Sequence, residues 1–139
     1  MGKYITEINQ LYEGLGGLFG GLDSYPHIKK AVTDAKITLA MYYSDPDGML
    51  AVDASTGDIK FYTDSYPPDF KPAVNLRLKA ATAHLYWLGK VNFMLAMQKG
   101  EIKAEGNLGL VLKLVPVLGP LFKAYAEVLK QKGMGHLVV

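Results

Sequence analysis

Between residues 4 and 18 the large apolar side chains, Tyr4, Ile5, Ile8, Leu11, Tyr12, Leu15 and Leu18, fall mostly three or four apart. That period predicts an amphipathic helix. A second helix is predicted from Tyr25-Pro26 to about Val32. The period then drops to two. Ile37, Leu39, Met41 and Tyr43 alternate with Lys36, Thr38, Ala40 and Tyr42, as a strand requires. Asp45-Pro46-Asp47-Gly48 is a turn signal, with proline set for the first corner, and Met49 to Asp53 then returns antiparallel. Ser55-Thr56-Gly57 turns again into a third strand, Asp58 to Thr63, before Tyr66-Pro67-Pro68-Asp69 breaks the meander.

Val74, Leu76 and Leu78 alternate with polar neighbours in a fourth strand. Two short helices, Ala81 to Leu88 and Asn92 to Lys99, stop at Gly89 and Gly100, with Asn92 as an N-cap. Ile102 to Glu105 makes a fifth strand, and Gly106-Asn107 opens a helix from Leu108 to about Val115. A final helix starts at Gly119-Pro120 and stops at Gly133, with Leu121, Phe122, Tyr125, Val128 and Leu129 on one face. Residues 133–139 lack periodicity and read as a loose tail. With no repeat or linker, the 139 residues form one α+β domain.

Composition adds two facts. Half the residues are hydrophobic, so a full core is available, and the absence of cysteine excludes disulfides and thiolate chemistry. The net charge of +2 is divided unevenly: residues 1–70 carry −5 and residues 71–139 carry +7. Arg77 is the only arginine among fifteen basic residues, which argues against sequence-reading of nucleic acid and fits solvation or an anionic membrane surface. Gly2 and Thr6 match the loose N-myristoylation pattern, one too common to carry weight. No targeting segment is evident, which favours the cytoplasm.

Catalytic and metal constellations are missing from the pattern. His27, His84 and His136 are scattered without ligand spacing, and His84, beside Leu85, Tyr86 and Trp87, reads as a packed or surface residue. Ser24, Ser44, Ser55 and Ser65 fall near turns, and Asp45, Asp47, Asp53 and Asp58 are accounted for by turn chemistry rather than by a metal. The glycines at 14, 16, 17, 20 and 21 fit neither phosphate-binding fingerprint; close packing, fraying or helix ends explain them. The positive feature is apolar excess. Residues 85–88, 93–97 and 108–115 are apolar around more than one helical face, so they enter a core or border something apolar that the chain does not supply.

Met97-Gln98-Lys99-Gly100-Glu101-Ile102-Lys103-Ala104-Glu105-Gly106-Asn107-Leu108-Gly109-Leu110 resembles the signature of the sterol carrier protein type 2 domain family. The order of elements over about residues 25–132 is similar as well. Two features depart from the family pattern: Lys99 stands between Gln98 and Gly100, and no peroxisomal tripeptide follows Val139. The resemblance implies a five-stranded, mostly antiparallel sheet covered by helices, with an apolar tunnel between them. It implies non-enzymatic binding and transfer of fatty acids, acyl-CoA esters, sterols or other lipids, without cofactor or metal. Carried onto this sequence, the tunnel is bounded by the sheet face and by Trp87, Phe93, Met94, Met97, Leu110, Leu114, Phe122 and Tyr125, with Gln98 near a mouth and Lys113 able to neutralise a carboxylate. The final helix would be a lid whose lysines meet anionic headgroups as it opens.

Burying methylenes at roughly 0.8 kcal/mol each would give a chain of about 12 carbons on the order of 10 kcal/mol gross. Association and ordering costs leave roughly micromolar binding. Other readings stay open from the sequence: an interaction module with a collapsed cavity, or an accessory that presents an apolar substrate to a lipid-metabolising enzyme. The oligomeric expectation is monomer or homodimer.

Overall fold

The structure, a computed structural model, describes residues 5–139. Tyr4 of the first predicted helix and the Gly2 acylation pattern therefore lie outside the described residues. Helix α1 (Ile8–Gly20) opens with a capping box between Glu7 and Gln10, and α2 (Pro26–Asp34) starts on a proline. Strands β1 (Thr38–Ser44), β2 (Gly48–Asp53) and β3 (Lys60–Thr63) form the meander that the alternation predicts. The turn between β1 and β2 differs from expectation. Its Asp45–Pro46 peptide is cis and Asp45 takes φ 52°, a left-handed conformation that aspartate tolerates better than most residues.

Strand β4 (Val74–Lys79) does not extend the meander at its edge. It lies beside β1, parallel to it, and β5 (Ile102–Gly106) pairs antiparallel with β4, giving the order β3-β2-β1-β4-β5. Three of the four pairings are antiparallel, so the sheet is mixed. The link from β3 back to β4 covers the outer sheet face. Phe70 is buried there with Ala40, Met49 and Ala51, beside Tyr62 and Tyr66. Ala40 and Ala51 sit opposite each other in register, and their small side chains leave room for the ring.

The inner face carries the main core. Met41 of β1 lies between Leu50 of β2 and Leu76 of β4, and Val74, Val52 and Ile102 extend this apolar surface. Helices α3 (Ala80–Trp87), α4 (Phe93–Gln98), α5 (Leu108–Leu114) and α6 (Gly119–Gln131) complete the chain order. The side chain of Asn92 accepts a hydrogen bond from the Leu95 amide at 3.0 Å, as an N-cap should. At Gly106 the positive φ of 96° and the closeness of the Ala73 carbonyl oxygen leave no place for a side chain, which accounts for glycine between β5 and α5.

Helices α1 and α6 pack closely. A Cβ on Gly14 would come within 2.8 Å of Tyr125 Cε1, and one on Gly17 within 2.6 Å of Val128 Cγ1. Close packing, among the explanations open from the sequence, therefore accounts for these two glycines. The C-terminal residues correct the expectation of a loose tail. Residues 135–137 form a 3-10 turn, Met134 is buried and Leu137 is fully buried. The reason is His84 on α3, buried and polar, whose Nε2–H donates to the Leu137 carbonyl at 2.7 Å. Its Nδ1 then accepts from the Tyr125 hydroxyl at 2.8 Å, so one neutral imidazole joins α3, α6 and the C-terminus. Between Leu108–Val117 and Gly119–Gln131 the axis bends by 75°, and among the described residues no single helix is long and apolar enough to cross a membrane.

Candidate ligand-binding site

The alternation of β1 and β4 sends every second side chain toward the helices, and these side chains floor a cavity of about 110 Å³. Leu39 and Met41 come from β1, Val52 from β2, Leu76 and Leu78 from β4, and Ile102 from β5. The roof is built by Ala83, Tyr86 and Trp87 of α3, Phe93 of α4, Val111 and Leu114 of α5, and by Val115 and Leu118 at the α5–α6 corner. Phe19 of α1 and Val32 of α2 close one side, with Ile37 just before β1. No charged side chain lines this space. Its volume is about that of four waters, below the roughly 300 Å³ at which drug-sized ligands fit.

An aromatic cluster packs the roof. Trp87 stands edge-on to Phe19 at 5.9 Å and to Phe122 at 6.5 Å, while Tyr86 stands edge-on to Phe93 at 5.9 Å and to Phe122 at 5.5 Å. Such contacts stabilise beyond the area they bury, by about 0.5–1.5 kcal/mol each. Burial raises the Tyr86 pKa to about 12, so its hydroxyl keeps its proton. That hydroxyl is buried and, among the described residues, has no hydrogen-bond partner.

Of the residues assigned to tunnel walls from the sequence, Trp87, Phe93 and Leu114 line the cavity. The others lie elsewhere. Met94 is 46% exposed on the outer side of α4, Met97 and Leu110 are half-buried at the core edge, and Gln98 and Lys113 are exposed. Phe122 packs behind Tyr86 and Trp87 rather than on the cavity. Tyr125 is fully buried against Gly14 and His84, in the junction of α1, α3 and α6. Leu121, Tyr125 and Leu129 turn the apolar side of α6 inward, and the cavity-lining part of this region is the half-exposed corner at Val115 and Leu118.

Phe19, Val32 and Tyr86 were missed. Phe19 is an isolated aromatic among glycines, a signal that the sequence offered; Tyr86 was submerged in the run Leu85-Tyr86-Trp87-Leu88.

A second, open cleft of about 570 Å³ lies at the β4–β5 end of the sheet, lined among others by Arg77, Lys79, Lys99, Lys103 and Glu101. Four bases against one acid make it cationic. Arg77 also sits 4.7 Å above the Tyr42 ring and 3.8 Å from Glu105. Leu78 lines both the cleft and the apolar cavity, so this one side chain borders both. Lys99, the residue that departs from the family pattern, belongs to the cleft while its neighbour Gln98 does not.

Comparison with known proteins agrees with this architecture. The model of the SCP-2 sterol transfer family matches residues 21–119. Sterol Carrier Protein 2 from Yarrowia lipolytica, in its apo form, superposes with a TM-score of 0.65 at 12% identity, covering 87% of this chain and 98% of that one. The sterol carrier protein domain 2 of Helicoverpa armigera gives a TM-score of 0.54 at 21% identity, covering 73% and 88%. The sec-alkylsulfatase Pisa1 from Pseudomonas sp. matches with a TM-score of 0.50 at 20% identity over 60% of this chain, which spans 14% of the length of that enzyme. At these identities the likeness is one of fold. A comparison with curated proteins gives no match. With the family model covering most of its length, the chain belongs to the SCP-2 sterol transfer family.

Proposed function

We propose that this domain is a non-enzymatic carrier that takes the apolar part of a lipid into the space between sheet and helices. Family membership supports lipid binding or transfer in general. The observation that carries the reading is the cavity itself, which lies between sheet and helices, opens partly to solvent and is lined without a charged side chain. Each methylene that enters this apolar space is favourable by roughly 0.8 kcal/mol. Longer chains require the cavity to widen, and the half-buried parts of its wall are Phe19, Leu39, Leu78 and the α5–α6 corner at Val115 and Leu118. Trp87, Phe93 and Leu114 contact the ligand directly. Met94, Met97, Leu110 and Phe122 would reach it only as the helices move apart, and Gln98 and Lys113 only at an opened mouth.

Native mass spectrometry of the purified protein, before and after incubation with palmitic acid, palmitoyl-CoA and cholesterol, tests this reading. A bound lipid mass is expected. An empty protein that takes up none of the three contradicts it.

The small size of the cavity supports a second reading, an accessory domain with a collapsed interior. The presence of this fold within a much longer alkylsulfatase also fits a domain that presents an apolar substrate to a catalytic partner. Co-purification of a lipid-metabolising enzyme with a lipid-free domain would favour it.

A further inference from the structure

Arg77 of β4 and Lys103 of β5 stand directly opposite each other in the antiparallel register, so their side chains leave the same face of the sheet side by side. Like charges in that position destabilise a strand pair. Lys79, two residues further along β4, leaves from that face as well, and Lys99 joins them from the C-terminal end of α4. All four line the open cleft of about 570 Å³.

The protein supplies little to neutralise them. Among the described residues no carboxylate lies within 4.0 Å of Lys79, Lys99 or Lys103. Glu105 stands 3.8 Å from Arg77, too far for a hydrogen bond, and Glu101 is the one acid of the lining. The Arg77 guanidinium rests 4.7 Å above the Tyr42 ring, which fixes its place and leaves the N–H groups on its edge available. Ser44 and Thr82 add two hydroxyl-bearing side chains to the same lining.

From this we infer that the cleft is a binding site for a multiply charged phosphate group, either a phosphate monoester or a pyrophosphate. A carboxylate brings one charge and two oxygens, which a single cation satisfies. Four cations drawn from two strands and a helix end are matched by a group with two or three charges and oxygens directed several ways. The site lies outside the apolar cavity, so the inference goes beyond the carrier reading and stands or falls separately from it. The same phosphate arrives either free in solution or as the headgroup of a lipid.

Calorimetric titration with inorganic pyrophosphate, with dodecyl phosphate and with acetate, at one low ionic strength, tests the site. Pyrophosphate should bind saturably and at least tenfold more tightly than acetate. The double variant Lys99→Gln, Lys103→Gln should lose about tenfold in pyrophosphate affinity, and Glu101→Gln should gain about two- to threefold. Thermal melts give an independent reading with opposite signs. Lys103→Gln removes the like charge facing Arg77, so its Tm without ligand should equal or exceed that of wild type, while the rise in Tm that pyrophosphate produces should shrink. Dodecyl phosphate that loses the same factor in the double variant identifies a lipid headgroup as the source; a loss confined to pyrophosphate identifies a free anion. No saturable pyrophosphate binding, an affinity equal to that of acetate, or one that the double variant leaves unaltered overturns the site and leaves the carrier reading as it was. Failure to take up palmitic acid overturns the carrier reading alone.

Discussion

Gly14 and Gly20 occupy the same helix and make opposite predictions. At Gly14 an added methyl meets the ring of Tyr125, which is fully buried and held by His84, so the ring cannot swing aside. Gly14→Ala should therefore destabilise by about 1–3 kcal/mol despite the better helix propensity of alanine. At Gly20 nothing lies within 4 Å, and Gly20→Ala should stabilise by about 0.5–1 kcal/mol. Paired thermal melts check both, with opposite shifts in Tm as the expected outcome. Tyr12 shows the same dependence on a distant partner. Its hydroxyl donates to Asp64 at 2.6 Å and accepts from the Met49 amide at 3.0 Å, fastening α1 to the sheet. Burial, and then the Asp64 carboxylate, raise its pKa to about 12. His84 carries the pH dependence. Burial lowers its pKa from the usual 6.5, against a smaller opposing effect of the Leu137 carbonyl. The unfolded chain then binds the proton more tightly than the folded one, so this histidine adds no pH dependence well above pH 6.5 and lowers stability as pH falls below it. Urea melts at pH 7.5 and pH 5.5 should show this loss in wild type and a smaller one in His84→Gln. None of these pairings was legible in sequence, because each joins residues 37 or more apart that local spacing does not relate.

At the scale of elements the sequence was informative where a period of two or of about 3.6 is expressed within a few residues. The strands, the Asn92 cap and the start of α6 on Gly119-Pro120 all follow from such local physics. The position of β4 does not: its alternation predicts a strand, whereas its parallel place beside β1 requires the β3–β4 link to cross back over the outer face, where Phe70 is buried. The tail was misread for a related reason. Leu137 and Met134 are too few to show a period, yet one buried histidine fixes the segment. Helix α5 and the corner that follows it belong to the cavity wall, whereas α6 belongs to the core, and this separates their expected mobilities. Backbone amides of residues 108–118 should exchange with deuterium faster than those of 121–129, and lipid should slow the first set selectively. Leu114→Phe places extra volume in the cavity from α5. It should lower lipid affinity by about tenfold or more while changing stability by less than about 2 kcal/mol, as measured by titration and urea melts.

For the whole molecule, the −5 of residues 1–70 and the +7 of residues 71–139 distinguish the meander from the half that carries α3–α6 and β5. The cationic cleft gives part of this asymmetry a location at the β4–β5 end. If the domain exchanges lipid at a surface, transfer to vesicles containing anionic phospholipid should be faster than to neutral ones, and 0.5 M salt should remove most of the difference. The family signature from Met97 to Leu110 made the architecture readable. It placed the sheet face and Trp87, Phe93 and Leu114 at the cavity but left Phe19 and Val32 obscure, since these meet the rest of the wall only after folding. The central claim is that lipid occupies this space, and the single tryptophan, Trp87, lies in its wall. Titration of the wild-type protein with palmitic acid, followed through Trp87 fluorescence, tests that claim most directly. A saturable change with roughly micromolar affinity, weakened about tenfold or more in Leu114→Phe, is expected. A flat titration, or one that Leu114→Phe leaves unaltered, would contradict it.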